Sequence, residues 1–224
     1  LKRCRHCGRN EDAPNNSVMK QLLGLFLLVV FTSGLLKPLP LRRDVLDVER
    51  KHDLMIGSDE SGTGCIAGPV VAVSCCILDV NSYVPLNIVQ DSKKLILKQC
   101  HEVYSHVKLH PNVYQYTVAT RSNTEIDQQT VRACIHDAFS ESIAALAQVI
   151  PSNRTVYSVV DGHKSPSFTE FVSRPWKRAD SLVYTVALAS CLARAIHDDL
   201  TNDSCIIDNG YPTLRHLQAL HDHG

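Results

Sequence analysis

The chain has 224 residues, with 23 basic and 23 acidic side chains, a formal charge of zero and 44% hydrophobic residues. That length suits one sizeable α/β domain with its own core. The balanced charge excludes polyanion binding by an overall basic surface and leaves only a local basic patch for that role. Nine cysteines, an odd number with several inside apolar runs, indicate reduced, buried thiols in an intracellular protein rather than a disulfide framework.

Residues 1–18 are polar and irregular. They contain Cys4-x-x-Cys7 with His6, half of a zinc-knuckle pattern without a second ligand pair at a suitable distance. After Met19 and Lys20 comes an apolar run, Leu22 to Leu36, followed by Lys37, Pro38 and Pro40. The run falls short of the ~20 residues that cross a bilayer, so no stable membrane association is expected. A basic start, apolar centre and the small residues Thr32-Ser33-Gly34 imitate a signal peptide. A mitochondrial presequence, or sequence from upstream of the true coding region, are the alternatives. The expected division is therefore an unmatched segment over 1–50 and a catalytic domain over 51–224.

Met55-Ile56-Gly57-Ser58 leads into the adjacent carboxylates Asp59 and Glu60, then into a turn with Gly62, Gly64 and Gly68, then into the β-branched run Val70 to Leu78. This pattern predicts a hairpin with acids at the end of its first strand. Neighbouring residues of a regular strand face opposite sides of the sheet, so Asp59 and Glu60 share a site only if the pleat relaxes. A loop is expected over 79–87. A helix is expected to begin at Asp91-Ser92-Lys93-Lys94 and to continue through Leu95, Leu97, Cys100, Val103 and Val107. Val113 to Ala119 has strand composition. A long helix is expected from about Thr124, its buried stripe running from Val131 through Cys134, Ile135, Ala138, Phe139, Ser142, Ile143 and Leu146 to Val149. Thr155 to Asp161 reads as a fourth strand ending in a carboxylate, and Phe171-Val172 as part of a short fifth. A helix dense in small residues is expected from Asp180 to about Asp199, and a short one from Thr213.

Asp59, Glu60, Asp161 and Asp180 are the candidate catalytic and metal-ligating residues. Phosphodiester hydrolysis needs an activated water and a stabilised leaving oxygen, and two metal ions about 3.5–4 Å apart supply both. Hard cations such as Mg²⁺ take oxygen ligands shared between protein and phosphate. Taken singly, Asp180 also suits a helix N-cap, Asp161 a turn before Gly162, and the Asp-Glu pair a surface hairpin.

The motif Asp59-Glu60-Ser61-Gly62-Thr63-Gly64 with Gly68-Pro69 resembles the first signature of ribonuclease HII, Asp-Glu-Ala-Gly-Arg-Gly followed by Gly-Pro. Four further matches follow in the same order: Asp91-Ser92-Lys93-Lys94-Leu95, Val159-Val160-Asp161-Gly162, Arg178-Ala179-Asp180-Ser181-Leu182 and Gly210-Tyr211-Pro212-Thr213. The resemblance implies a ribonuclease H-like fold, a mixed five-stranded sheet flanked by helices. It implies that the four acids hold two divalent cations, Mg²⁺ or Mn²⁺. It assigns substrate binding to the Gly62-Thr63-Gly64 backbone at a ribonucleotide 2′-hydroxyl, to Tyr211 on the sugar, and to Lys93, Lys94 and Arg178 at phosphates. Arg178 stands where the family usually has Lys. Thr63 departs from the family's Arg and matches the Gly-Thr-Gly of the related ribonuclease HIII. His163 follows Asp161 closely and could assist product release, though a surface histidine is the commoner situation.

The resulting expectation is a metal-dependent endonuclease. Its partners would be RNA–DNA hybrids and DNA duplexes with embedded ribonucleotides, cut on the 5′ side of a ribonucleotide. Ribonuclease HIII-like preference for longer ribonucleotide runs and a catalytically silent hybrid-binding subunit are the alternatives. The family continues beyond the helix of His216 into a basic segment, so truncation at the C-terminus is expected. The enzyme is expected inside the cell where DNA is, with accessory subunits left open.

Overall fold

A computed structural model describes residues 54–79, 86–203 and 207–223. The Cys4/Cys7 pair, the apolar run over 22–36 and most of the loop expected over 79–87 lie outside these residues. Among the described residues five strands form: β1 (Leu54–Ser61), β2 (Val70–Ile77), β3 (Tyr114–Arg121), β4 (Val156–Asp161) and β5 (Val172–Trp176). They make one sheet in the order β3-β2-β1-β4-β5. β1, β2 and β3 pair antiparallel, and β4 and β5 extend the sheet in parallel with β1. This is the expected mixed five-stranded sheet, and β1 and β4, which carry acids in their last residues or just before them, are neighbours within it.

Helices cover both faces. α1 (Leu97–Leu109) and α4 (Tyr184–Asp203) lie on one side, where Val71, Val73 and Cys75 meet Cys100, Val103, Val107, Leu188 and Leu192. α3 (Val131–Val149) covers the other, where Ile56, Ala72 and Ala119 meet Ala138, Phe139, Ile143 and Leu146. The alternation of β2 between the two clusters is the period-two pattern of a strand buried on both faces. α4 approaches β1 closely. A Cβ on Gly57 would stand 2.3 Å from the Thr185 carbonyl carbon, so only glycine fits there. Within the α3 side, a buried chain of hydroxyls runs from Ser58 through Ser74 to Ser142, with both contacts at 2.8 Å.

Several boundaries differ from expectation. The helix foreseen from Asp91 is a 3-10 turn, Ser92–Lys94, with α1 starting only at Leu97. The long helix foreseen from Thr124 is two: α2 (Asn123–Gln128), capped by Ser122 with Glu125 in a capping box, and α3, capped by the Thr130 hydroxyl. Each cap satisfies amide groups that the helix start leaves unpaired. Val131 and Val149 sit at the ends of α3 and are exposed, so the buried stripe is shorter than the apolar pattern implied. α4 begins at Tyr184, and Asp180 lies in a preceding 3-10 turn, Ala179–Ser181. β5 starts at Val172 and runs to Trp176, further along than Phe171-Val172 suggested. α5 (Leu214–His223) closes the described chain. Among the described residues no helix is long and apolar enough to cross a membrane.

Candidate active site

Asp59 is the sixth residue of β1 and Asp161 the last of β4, and the two strands run parallel. Both side chains project to the α4 side of the sheet, with Met55 and Val159 of the same strands. The 3-10 turn Ala179–Ser181 then brings in Asp180. Carboxylate oxygens of Asp59, Asp161 and Asp180 lie within 4.8 Å of one another. Asp161 fixes the turn itself, its Oδ1 accepting the Ala179 N–H at 2.7 Å. Arg178 precedes that turn with φ 57°, in the left-handed region.

Glu60 stands outside the group of three. The β1–β2 register stays regular through Ser61, and the Glu60 carboxyl nonetheless meets that of Asp59 at the strand end. Its charge still reaches Asp161 and Lys93 at the strand end. Burial and the charge of Asp161 push its pKa up to about 7. Asp59 is raised well above its ordinary value by burial, then by Glu60 and Asp161, while the Ser190 hydroxyl favours its ionised form. Asp180 is raised by burial and by Asp161 and Asp91. Carboxyl groups so crowded hold protons that a cation would displace. An oxygen-only donor set of this kind suits a hard divalent ion.

The 3-10 turn Ser92–Lys94 carries a cation close to the acids. Burial works against a charged Lys93, but Asp59, Asp180, Asp91 and Asp161 outweigh it and raise the lysine above its usual value. Lys93 therefore faces the acids. Lys94 points elsewhere, exposed and 3.9 Å from Asp91 Oδ2. Asp91 caps the turn through the Lys93 N–H at 3.0 Å and also borders Asp180. Ser190 was not singled out from sequence. It donates to the Ser92 hydroxyl at 2.9 Å and supports Asp59, joining α4, β1 and the lysine turn. Its only signal was a polar residue within the apolar stretch from Val186 to Ala193.

The glycine loop stands beside the acids. Gly62 adopts φ 96°, and its carbonyl accepts the Cys65 N–H at 3.1 Å, closing the turn. Thr63 and Gly64 are exposed. Tyr211 is 41% exposed, and a Cβ on Gly64 would lie 3.8 Å from its ring. Thus Tyr211 and the loop border one opening. Arg178 is exposed on the turn leading to Asp180, and His163 is exposed after Gly162.

A mixed sheet with three carboxylates converging at the ends of its central strands, flanked by a lysine turn and an open glycine loop, defines a nuclease of ribonuclease H-like fold. Solved structures share that fold. They include ribonuclease H3 from Aquifex aeolicus, with a TM-score of 0.59 at 20% identity over 81% of this chain and 72% of that one. The ribonuclease HII in a complex with PCNA from Archaeoglobus fulgidus gives a TM-score of 0.57 at 23% identity, over 75% and 87%. A Bst-RNase HIII structure in complex with Mn²⁺ gives a TM-score of 0.55 at 16% identity, over 74% and 60%. The family model for ribonuclease HII matches residues 56–222. Ribonuclease HII of Ehrlichia chaffeensis is 30% identical over 190 residues, covering 79% of this chain and 84% of the relative. That of Rickettsia canadensis is 30% identical over 191 residues, covering 81% and 91%. The chain belongs to the ribonuclease HII family, and it is an endoribonuclease of RNA–DNA hybrids.

Proposed function

We propose that this enzyme cuts the RNA strand of RNA–DNA hybrids and also cuts DNA duplexes on the 5′ side of an embedded ribonucleotide, leaving 5′-phosphate and 3′-hydroxyl ends. The observation that carries the reading is the convergence of Asp59, Asp161 and Asp180 beside a glycine loop open to solvent. These three would hold divalent cations, two Mg²⁺ or Mn²⁺ ions, with Glu60 contributing from the strand end. Bound there, the ions supply an activated water and charge neutralisation at the phosphate. The chain's own residues do the rest.

Asp161 orients Asp180 through the Ala179 amide. Ser190 contacts Asp59 and offsets part of the rise in its pKa that burial and the neighbouring acids cause. Lys93 balances the acids when they carry unneutralised charge and is placed to meet a phosphate. Backbone groups of Gly62, Thr63 and Gly64 can bond a 2′-hydroxyl because nothing bulky intervenes, and a 2′-hydroxyl distinguishes RNA from DNA. Tyr211 packs on the sugar, while Arg178 and Lys94 contact phosphates that set register without reading sequence. The enzyme works inside the cell where DNA is.

The test is cleavage of a duplex with one ribonucleotide and of a continuous hybrid, with Mg²⁺, with Mn²⁺ and with chelator. Metal-dependent cutting of both, with products ending one bond 5′ of the ribonucleotide, supports the reading. Cleavage that persists in chelator, or an intact single-ribonucleotide duplex, defeats it.

A further inference from the structure

His197 lies in α4 and is only 2% exposed. Its Nε2 faces the glycine loop. A Cβ on Gly62 would stand 2.9 Å from that nitrogen and 2.3 Å from the Pro69 carbonyl oxygen. Cys65 Sγ lies 3.9 Å from the same nitrogen. On its other side the ring meets Tyr211 edge to face, with centroids 6.3 Å apart. One buried imidazole therefore touches both halves of the opening, the loop and the tyrosine.

The next residue completes the arrangement. Asp198 accepts the Asn209 Nδ2 hydrogen at 2.6 Å and pairs with His101 Nε2 at 2.8 Å. Asn209 belongs to the turn Ile207–Gly210, whose Gly210 carbonyl accepts the Ile66 N–H at 2.8 Å. Tyr211 follows directly. The loop and Tyr211 are thus both referenced to a single turn of α4. Gly62, with φ 96°, has little conformational preference of its own and stays where its contacts hold it.

We propose that His197 is a positioning residue whose buried polar edge fixes the gap between the Gly62–Gly64 loop and Tyr211, and so sets how strongly a ribonucleotide is preferred to a deoxynucleotide. This rests on the reading of the loop and Tyr211 as the ribonucleotide reader. Burial lowers the His197 pKa, which keeps the ring uncharged and free of a hydration shell at neutral pH. Asp59, Asp161 and Asp180 are held by β1, β4 and a separate turn, so a change at His197 falls on selection rather than on cation binding.

The experiment uses His197→Phe, which keeps a ring but removes the nitrogens, and His197→Gln, which restores a polar nitrogen at similar reach. Three quantities are measured on the full chain: kcat/KM on the single-ribonucleotide duplex and the continuous hybrid, Mn²⁺ affinity by calorimetry, and backbone hydrogen exchange across residues 62–68. His197→Phe should lower single-ribonucleotide kcat/KM by roughly 10- to 100-fold, as a displacement of about an ångström does, with a much smaller effect on the hybrid. Exchange across the loop should quicken, Mn²⁺ affinity should stay, and His197→Gln should recover most of the loss. Equal loss on both substrates, or unchanged exchange in His197→Phe, overturns the proposal. If the wild type does not cut the single-ribonucleotide duplex, the reader assignment fails on its own, and the exchange measurement still decides whether His197 holds the loop.

Discussion

The Asp161 carboxylate accepts the backbone N–H of Ala179 at 2.7 Å, and through this bond the end of β4 places the next acid, Asp180. One carboxylate thus acts as both a candidate ligand and the anchor of another. The two roles separate on substitution.

Asp161→Asn keeps an oxygen that can accept the Ala179 N–H but loses the charge. Cleavage should fall by at least about a hundredfold, the usual loss for one electrostatic group at a reacting centre. Without metal, the variant should melt no lower than wild type, because one of three crowded charges has gone. Asp161→Ala leaves the Ala179 amide without its partner, at a cost of about 1–3 kcal/mol, and should melt lower. Turnover near wild type in Asp161→Asn at saturating Mg²⁺ would remove Asp161 from the site.

Glu60 gives a pH prediction. Its pKa is raised to about 7 in the folded chain, against about 4.3 when unfolded. The native state therefore binds the extra proton between those values, and stability falls as pH rises through that window. Metal-free wild type should lose more melting temperature between pH 5 and pH 8 than Glu60→Gln does, and saturating Mn²⁺ should narrow the difference. Parallel pH curves for the two proteins would place Glu60 in solvent.

Which parts of this were readable beforehand follows from range along the chain. The hairpin of β1 and β2 and the acids at strand ends were legible because an apolar run, two acids and a glycine turn are contiguous. The break between α2 and α3 was also written locally, in Ser122-x-x-Glu125 and in Thr130, but the apolar stripe around it masked the caps. Asp180 looked like the start of a helix because its left-handed neighbour Arg178 carries no glycine or asparagine signal. Glu60 read as a second acid beside Asp59, and its charge does act on Asp59 at the strand end. Ser190 with Ser92, 98 positions away, and His197 with Cys65, 132 positions away, join distant parts of the chain, which no local pattern encodes.

Arg178 combines a left-handed backbone with an exposed cation. The conformation costs an L-residue roughly 1–2 kcal/mol, and glycine is freed from it. Arg178→Gly should therefore fold with undiminished stability while binding a hybrid more weakly. The salt dependence of binding should shrink by about one phosphate contact, a change near 0.7–0.9 in the slope of log K against log salt. If the slope is unchanged, Arg178 meets no phosphate and its role is confined to the turn.

Tyr211 supplies the sharpest test of substrate reading. Its ring is 41% exposed beside Gly64, so removing it should hardly affect folding. Aromatic packing on a nucleotide is worth about 1–3 kcal/mol, which is roughly 5- to 150-fold in binding. With one ribonucleotide in DNA, the ring and the Gly62–Gly64 backbone have a single sugar to grip. In a continuous hybrid, neighbouring 2′-hydroxyls and the A-form shape share the work of positioning. Tyr211→Ala should therefore lower kcat/KM on the single-ribonucleotide duplex by a factor within that range and lower it on the hybrid by much less. Tyr211→Phe keeps the ring and should retain most activity on both. Thr63→Arg, which restores the family's usual residue in the exposed loop, should add a phosphate contact and favour the single-ribonucleotide substrate. If Tyr211→Ala lowers both substrates equally, the ring supports the turn after Gly210 and does not read the sugar.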